Sequence, residues 1–301
     1  MKILVTGGAG FIGGYLVDFF LNKHKVIIYD NLSTSSQSVV DALIKKGALF
    51  IKGDILDQDT LSKSSEGFDV MIHLAAKSDV TESVSHPRIV KNINVNGTIN
   101  VLNSCIKNKI KKIVFASSAA VYGDSSTAVT EKSETKPLSP YGTSKMLAEN
   151  KIREMSKNNF DYTILRIFNV YGKRQNKQYA GVISNFIENI SKNIPLLIYG
   201  DGSQTRDFVS INDVVNAFDA AVKTNSSGTY NIASGKSISV KELAEIFRHT
   251  SAGKIQMTYK PAKKQDIQYS IADISLAQKE LKFNPKVNLK EGLSDLVSVS
   301  N

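Results

Sequence analysis

Residues 2–13 read KILVTGGAGFIG, an apolar run that leads directly into three glycines at the spacing G-x-x-G-x-x-G. Gly7 and Gly10 allow a tight turn that a pyrophosphate can approach closely, and the N-terminus of the following helix favours its negative charge. Gly13 removes a side chain where that helix packs on the sheet. Glycines also make ordinary tight turns, but the position of this triplet between a strand and a helix predicts a dinucleotide-binding loop.

Short apolar segments alternate with helical patterns over roughly the first 170 residues. Strands that are apolar on both faces are predicted at 2–6, 26–29, 49–52, 70–74, 112–117 and 162–167, and helices near 12–23, 36–46, 88–108 and 141–158. Strands of this kind belong to a parallel sheet that helices cover on both sides. The alternation predicts an α/β protein with a doubly wound parallel sheet.

The pattern changes after Asn169, where a polar stretch precedes a second set of elements. A helix is predicted near 180–192, strands at 196–199 and 206–210, and further helices near 211–223, 239–249 and 273–281. We therefore predict a dinucleotide-binding domain at 1–168 with a return segment near 207–232. Residues 169–206 and 233–301 are predicted to form a smaller C-terminal α/β domain that binds the substrate.

Composition excludes several classes of protein. The net charge is +10, but 32 of the 38 basic residues are lysines, whereas readers of nucleic acid favour arginine. The chain has one cysteine and four scattered histidines, which argues against a disulfide or a metal site. No apolar run approaches the roughly 18 residues of a membrane span, and the first run is too short for a signal peptide. A cytoplasmic, metal-free protein without nucleic-acid or membrane partners is predicted.

Asp30 ends the second predicted strand, 20 residues after Gly10. A carboxylate at this point binds the adenosine ribose hydroxyls of a dinucleotide and repels the additional phosphate of NADP. Asp30 could also cap a helix or close a turn, but its position after the glycine loop favours a role in binding NAD.

Tyr141 and Lys145 stand four residues apart at the start of a predicted helix, with Ser139 as its cap and Pro140 as its first residue. At this spacing the two side chains lie on one face. A neighbouring ammonium, an oxidised nicotinamide and the helix N-terminus would each favour the tyrosine phenolate, which could then act as a general base near neutral pH. An isolated Y-x-x-x-K is more often a half-buried aromatic under a lysine stem, but the nucleotide loop upstream favours the chemical interpretation.

At this point the chain resembles the extended short-chain dehydrogenase/reductase superfamily, and within it the nucleotide-sugar epimerases of the UDP-glucose 4-epimerase type. The resemblance covers nearly the whole chain. It is carried by TGGAGFIGG at 6–14, DNLS at 30–33, GDI at 53–55, HLAA at 73–76, NVNGT at 94–98, SSAAVYG at 117–123, SPYGTSK at 139–145, RIFNVYG at 166–172, GDGSQTRDFV at 200–209 and YNIASG at 230–235.

The resemblance implies a Rossmann sheet and a role for each matching residue. Tyr141 would be the base, Lys145 its partner and a ligand of the nicotinamide ribose, and Ser118 the hydroxyl that hydrogen-bonds the reacting sugar oxygen. The cofactor NAD would contact the glycine loop and Asp30 together with Phe11, Ile12, Asn31, Asp54, Ile55, Leu74, Ala75, Ala76 and Asn94. A UDP-sugar would contact Asn169, Val182, Leu197, Tyr199, Arg206, Lys263 and Asp266. Relatives often form homodimers through the helices that match 88–108 and 141–158.

Two features of the substrate loop depart from the family. Lys263 stands three residues before Asp266, where the family usually has arginine, so a phosphate contact there would not be bidentate. The segment after Arg174 is shortened.

The same resemblance leaves several reactions open. Related 4,6-dehydratases carry Asp-Glu before the VYG element and related decarboxylases carry Glu, whereas this chain has Ala119 and Ala120. Elimination needs an additional acid and base, which alanines cannot provide. We therefore expect an isomerase that interconverts UDP-glucose and UDP-galactose at C4, a reaction of galactose metabolism. NAD would be reduced and reoxidised within each cycle. UDP-N-acetylhexosamine or UDP-glucuronate remain alternative substrates. A non-catalytic NAD sensor would have no need of the pair Tyr141 and Lys145.

Overall fold

The computed structural model describes residues 1–175, 181–225, 227–250, 255–262 and 267–297. The strands are β1 (Lys2–Thr6), β2 (Lys25–Asp30), β3 (Leu49–Lys52), β4 (Val70–His73), β5 (Lys112–Ser118), β6 (Asp161–Ile167), β7 (Asn169–Tyr171), β8 (Leu196–Tyr199), β9 (Thr205–Ser210), β10 (Gly228–Ile232), β11 (Ser237–Ser239) and β12 (Met257–Lys260). The α-helices are α1 (Phe11–Leu21), α2 (Gln37–Ile44), α3 (Gln58–Ser64), α4 (Val80–Ser85), α5 (Pro87–Lys91), α6 (Gly97–Lys107), α7 (Pro140–Met155), α8 (Val182–Ser191), α9 (Ile211–Lys223), α10 (Val240–Thr250), α11 (Ser275–Glu280) and α12 (Leu289–Val297).

Seven strands form one sheet in the order β10-β6-β5-β4-β1-β2-β3. β1 pairs in parallel with β2 on one side and with β4 on the other, β2 pairs in parallel with β3, and β4 with β5. The strand order therefore reverses beside β1, and ligands of such sheets bind at the carboxyl ends of the strands at that point. The predicted doubly wound α/β fold is confirmed.

The edge strand β3 differs from the prediction that both of its faces are buried. Leu49 is 63% exposed and Lys52 is exposed as well, because β3 has a neighbour on one side only. An apolar run of four residues is too short to distinguish an edge strand from a central one.

The predicted helix near 88–108 is three consecutive segments. α5 begins at Pro87, a π-helical turn follows at Asn92–Asn96, and α6 continues from Gly97. Pi-helical turns occur frequently at functional sites, and this one carries Asn94. The prediction also missed short elements whose stability comes from packing rather than from their own periodicity, namely α3, α4, α12, β7, β10, β11 and β12.

One compact unit contains Met1–Val121, Pro137–Arg166 and Val215–Tyr230. Its core lies between the sheet and the helices that follow the strands. Fully or almost fully buried members of that core include Leu4, Tyr29, Leu61, Met71, Val101, Leu102, Phe115, Ala148, Ile152 and Ile164.

The second unit contains Tyr122–Lys136, Ile167–Val214 and residues from Asn231 onward. In it β9 pairs in parallel with β7 and antiparallel with β11, while β8 pairs in parallel with β12. The core of this unit includes Phe186, Leu196, Ile198, Phe208, Leu243, Phe247 and Leu293.

Residues 122–136 belong to the second unit, whereas the predicted domain ranges place them in the first. Buried Asn231 explains this arrangement, because its Oδ1 accepts the Tyr122 hydroxyl at 2.6 Å and its Nδ2 donates to the Val129 carbonyl at 2.9 Å. Val129 N in turn donates to Ile271 O at 3.0 Å. Hydrogen bonds to partners 100 or more residues away leave no local signal in the sequence.

Within the described residues, no helix combines the length and the apolar character that a membrane crossing requires.

Candidate active site

The glycine loop joins β1 to α1, and its glycines meet two different needs. A Cβ at Gly7, where φ is +71°, would lie 2.6 Å from Ala75 N, and one at Gly13 would lie 2.3 Å from Gly7 O. Gly13 therefore allows α1 to approach the backbone of the glycine loop. The sequence had instead predicted that Gly13 allows the helix to pack on the sheet. At Gly10 a Cβ would meet only Gly7 O, at 3.2 Å, so this position leaves space on the open side of the loop.

The N-terminus of α1 provides donors for an anion. Gly10 is the N-cap residue, it makes no side-chain cap, and the first turn contains no acidic residue. The first N–H groups of a helix lack partners within the helix and carry partial positive charge. A bare glycine loop that ends in an uncapped helix fits the pyrophosphate of a dinucleotide. Phe11 and Ile12, also predicted to contact the cofactor, form the first turn and are half-buried.

Asp30 ends β2 with its carboxylate directed at two loops. Oδ2 accepts Ala9 N at 3.0 Å, while Oδ1 accepts Leu32 N at 2.8 Å and Ser35 Oγ at 3.2 Å. The carboxylate therefore holds the glycine loop and the residues after β2 in place. It keeps acceptor capacity, since an ionised carboxylate can accept about four hydrogen bonds. Structural and ribose-binding roles are compatible at this residue.

The predicted adenine contacts lie after β3. Asn31 Nδ2 donates to Asp54 Oδ2 at 2.8 Å, and the Tyr29 hydroxyl donates to Asp54 O at 3.0 Å. The Ile55 side chain is buried in the core, and a Cβ at Gly97 would lie 2.4 Å from its Cδ1. Asp54 and Asn31 therefore form one polar cluster, whereas Ile55 supports it from the core.

The end of β4 carries a buried histidine that the sequence argument did not single out. His73 Nδ1 lies 2.7 Å from Thr6 Oγ1, and His73 Nε2 lies 3.0 Å from Thr98 Oγ1. Burial, together with the charge of Lys145, lowers the pKa of His73 to about 3. His73 is therefore a neutral link between β1, β4 and α6. Its signal in the sequence was a histidine inside an otherwise apolar strand.

Leu74, Ala75 and Ala76, predicted to line the cofactor groove, follow β4 and are half-buried. Asn94 holds the next residue, because its Oδ1 accepts Lys77 N at 2.8 Å and its Nδ2 donates to Lys77 O at 2.9 Å. Asn94 Nδ2 also donates to Ser144 Oγ at 2.9 Å. Asn94 is buried and connects the segment after β4 to α7.

α7 begins as the sequence predicted. Ser139 is its N-cap, with Oγ accepting Gly142 N at 3.1 Å, and Pro140 is its first residue. Tyr141 and Lys145 are therefore separated by about one helical turn and lie on the same face.

Lys145 is buried beside this tyrosine. Its Nζ lies 6.0 Å from the centre of the Tyr141 ring and 4.7 Å from that of Phe115, and it donates to Ala116 O at 2.8 Å. Burial lowers the pKa of Lys145 to about 8, while the charge of Glu149 raises it. The ammonium is therefore the main form at neutral pH.

Tyr141 and Ser118 lie together at the end of β5. Burial raises the pKa of Tyr141, and a hydrogen bond with Ser118 lowers it. Ser118 Oγ also accepts Ala120 N at 3.1 Å. The structure thus brings Tyr141, Lys145 and Ser118 together, with burial opposing formation of the phenolate.

Five of the residues predicted to bind a UDP-sugar lie in the second unit, namely Asn169, Val182, Leu197, Tyr199 and Arg206. Arg206 on β9 donates to Thr205 O at 2.8 Å and to Ile267 O at 2.6 Å, and Asn169 Nδ2 donates to Asp207 O at 3.0 Å. Pairing of β7 with β9 makes the strands of Asn169 and Arg206 neighbours.

The predicted uracil contacts belong to two other elements of this unit. Leu197 and Tyr199 are half-buried on the same face of β8, and Val182 starts α8. Lys263 and Asp266 fall outside the described residues.

Asp207 is a second residue that the sequence argument missed. Its buried carboxylate accepts Ser234 N at 2.8 Å, Ser234 Oγ at 2.6 Å, Gly235 N at 3.0 Å and Ala272 N at 3.4 Å. Burial raises its pKa to about 6, although these hydrogen bonds act in the opposite direction. Asp207 fastens β9 to the loop after β10 and to Ala272. Its signal was an acidic residue inside the apolar segment after Arg206.

Comparison with known proteins gives consistent results. Residues 3–233 match the model of the NAD dependent epimerase/dehydratase family. A putative UDP-glucose 4-epimerase of Methanocaldococcus jannaschii is 41% identical over 302 residues, covering 98% of this chain and 97% of that protein.

Two solved structures share the fold along their whole length. The UDP-glucose 4-epimerase of Thermotoga maritima, solved with UDP-glucose, gives a TM-score of 0.94 at 34% identity and covers 99% of this chain and 98% of its own. The UDP-N-acetylglucosamine 4-epimerase of Methanobrevibacter ruminantium, solved with UDP-N-acetylmuramic acid, gives 0.93 at 35% identity and covers 99% and 97%.

Proposed function

Because the chain belongs to the NAD dependent epimerase/dehydratase family, we propose that it is an NAD-dependent UDP-sugar 4-epimerase whose preferred substrates are UDP-glucose and UDP-galactose. The observation that carries this proposal is the arrangement of Tyr141, Lys145 and Ser118, with alanines at the two positions after the serine. Similarity to a UDP-glucose 4-epimerase at 41% identity supports the choice of sugar.

NAD fits the residues at the carboxyl end of the sheet. The bare glycine loop and the uncapped start of α1 suit its pyrophosphate, and Asp30 and the cluster of Asn31 and Asp54 suit its adenosine. When bound, NAD supplies the redox chemistry by accepting a hydride from C4 of the sugar and returning it to the opposite face. Because the cofactor would be regenerated in each cycle, turnover would not require its exchange.

The side chains of the first unit move the proton. The Tyr141 phenolate accepts the proton of the sugar 4-hydroxyl as that carbon is oxidised, and Tyr141 returns it when the carbon is reduced. The Lys145 ammonium favours the phenolate by its charge. Ser118 hydrogen-bonds the same sugar oxygen and holds it near the phenol.

The alanines after Ser118 favour epimerisation over elimination. Ala119 and Ala120 lie in a 3₁₀ turn (Ala119–Val121) that follows β5 directly. Methyl groups cannot transfer protons, so this position offers neither the acid nor the base that loss of water requires.

The second unit is proposed to bind the nucleotide. Arg206 carries a guanidinium, a group suited to hydrogen-bonding a diphosphate, and Leu197 and Tyr199 offer a half-buried apolar surface for uracil. Firm binding of the nucleotide with looser contact to the sugar allows the oxidised sugar to turn over.

Product analysis with a panel of UDP-sugars tests the proposal. Purified protein is incubated with UDP-glucose, UDP-N-acetylglucosamine and UDP-glucuronate, and the epimers are separated by chromatography. We expect UDP-galactose to form faster than the other two products. Faster conversion of another sugar would change the substrate assignment. Absence of every epimer, with no substrate-dependent reduced cofactor, would instead support a non-catalytic NAD sensor.

We further propose a homodimer in the cytoplasm. Three apolar side chains near the helices expected to mediate dimerisation are unusually exposed, namely Val84 at 61%, Ile89 at 51% and Leu138 at 50%. A second copy would remove them from water. Light scattering should give twice the chain mass, and Ile89→Asp should give a monomer. Cell fractionation tests the compartment.

A further inference from the structure

A buried ionic cluster lies in α7 beyond Lys145 and takes no part in the chemistry described above. Tyr141, Lys145, Glu149 and Arg153 follow one another at intervals of four residues and therefore share one face of the helix. Glu149 is fully buried. A buried carboxylate is costly unless charge and hydrogen bonds compensate for the lost water.

Glu149 has partners on three elements of the first unit. Its Oε1 accepts Ser117 Oγ of β5 at 2.5 Å and Arg166 Nε of β6 at 3.0 Å. Its Oε2 accepts Arg166 Nη2 at 2.7 Å and Arg153 Nη2 of α7 at 2.8 Å. Arg166 is itself buried at 4% exposure. The carboxylate is thus fully hydrogen-bonded and held in one orientation.

The cluster fixes the strand that carries Ser118, whose hydroxyl is proposed to hydrogen-bond the reacting sugar oxygen. Lys145 Nζ donates to Ala116 O, Glu149 accepts from Ser117, and Ser118 is the next residue of β5. Of three consecutive residues of β5, the first two therefore hydrogen-bond side chains of α7 and the third belongs to the proposed active site. A shift of about 1 Å in a reacting group can cost on the order of 100-fold in rate.

We propose that Glu149 is a positioning residue of the reaction, which fixes the end of β5 through Ser117 and places a negative charge one helical turn from Lys145. The proposal rests on the proposed epimerase function for its kinetic consequence. Within the described part of the chain, the titratable groups that interact with Lys145 are Tyr141 and Glu149 of α7 and His73 of β4, with His73 neutral. Glu149 is the negative charge among them at neutral pH.

A structural ion pair is the competing explanation. Isosteric apolar replacement of a buried ion pair is often neutral or stabilising, so fold stability alone does not require these charges. The pKa of Lys145 separates the two explanations, because a contact that only joins β5, β6 and α7 would leave it unchanged.

Glu149→Gln in the full chain is the test, with Glu154→Gln as the matched control. Glu154 is exposed on the same helix and pairs with Lys151 at 2.8 Å, so the same chemical change removes a surface pair instead. In protein labelled with ¹³C at lysine, the Lys145 signal is the one missing from Lys145→Arg. We expect its titration midpoint to fall by about 1 pH unit in Glu149→Gln, as loss of a close opposite charge implies, and to stay in place in Glu154→Gln.

Kinetics provide the second measurement. In Glu149→Gln we expect kcat to fall about 10- to 100-fold with KM within about twofold of the parent, and the alkaline limb of the pH profile to move to lower pH. If Glu149→Gln does not fold, the double variant Glu149→Gln/Arg166→Gln removes both charges and keeps amide hydrogen bonds. Its Lys145 midpoint should still be lower than that of the parent, because Glu149 is the charge that raises the pKa of Lys145, but by less than loss of Glu149 alone implies, because a positive charge is removed as well.

An unchanged Lys145 midpoint in the folded variant would overturn the proposal, as would an unchanged kcat. If the midpoint shifts but the parent converts no UDP-sugar, the link between Glu149 and Lys145 stands and the proposed function fails.

Discussion

Gly13→Ala and Gly10→Ala should have different effects: the first should lower the stability of the fold, and the second should lower the affinity for NAD. In Gly13→Ala the new Cβ would lie 2.3 Å from Gly7 O and 2.7 Å from Gly8 Cα. Both are backbone atoms, so no rotamer change relieves the contact, and overpacking costs about 1–3 kcal/mol. The gain in helix propensity is at most about 1 kcal/mol. Contacts of 2.3 and 2.7 Å with backbone atoms place the cost at the upper end of this range, about 3 kcal/mol, so the net loss of about 2 kcal/mol lowers Tm by about 4–8 °C.

Gly10→Ala should behave differently. Gly10 has φ −72° and ψ −178°, which alanine adopts freely, and its Cβ would meet only Gly7 O at 3.2 Å. Loss of a favourable N-cap costs up to about 1 kcal/mol, and the stiffer unfolded chain returns about 0.4–1 kcal/mol. Stability should therefore change little. The methyl group occupies space that a pyrophosphate needs, so NAD affinity should fall at least about tenfold, or 1.4 kcal/mol.

Two measurements on cofactor-stripped protein test this pair. Thermal unfolding followed by circular dichroism reports stability, and calorimetric titration with NAD reports affinity. An unchanged Tm in Gly13→Ala would refute the inference that a Cβ at this position collides with the backbone of the glycine loop. Parental NAD affinity in Gly10→Ala would refute the assignment of the open side of the loop to the pyrophosphate.

Three further predictions concern single side chains. Tyr141→Phe should lower kcat on the order of 10²–10⁴, as expected for loss of a general base, with normal NAD content; turnover close to the parent would exclude Tyr141 as the base. Asp30 should make the protein bind NAD more tightly than NADP, and equal affinities in calorimetry would contradict that role. His73 remains neutral in the fold down to about pH 3, but its unfolded form takes up a proton near pH 6.5. Stability should therefore decline as pH falls from about 6.5 to 3, by up to about 1.4 kcal/mol per pH unit. Denaturant titrations should show a steeper loss of stability on acidification in the parent than in His73→Gln, with the contributions of Asp207 and the other carboxyls common to both.

The central sheet was predictable because most of its strands are continuous apolar segments that alternate with helical patterns in the sequence. Residues 3–6 and 112–117 are buried on both faces of the sheet, as their Ile, Val, Leu and Phe side chains predict. β7 and β11 have three residues each and depend on β9 for their hydrogen bonds. Segments of this length carry no periodicity of their own.

The site was predictable where one element provides two functional groups. Tyr141 and Lys145 share α7, so helical spacing alone predicted their common face. Glu149 extends the same interval of four, and this spacing was a signal that could have been used. Its partner Arg166 comes from β6, and no local pattern links a strand residue to a helix 17 residues earlier.

The position of β10 at the edge of the seven-stranded sheet has a consequence for synthesis on the ribosome. Its neighbour β6 ends at Ile167, but β10 begins only at Gly228. At 5–20 residues per second, the intervening stretch of about 60 residues takes roughly 3–12 s to emerge. During that interval the nascent chain presents β6 as an open strand edge, the kind of surface on which chains associate wrongly. A chain truncated just before Gly228 would keep that edge permanently, so such a fragment should require chaperones or aggregate rather than form a smaller stable nucleotide-binding domain.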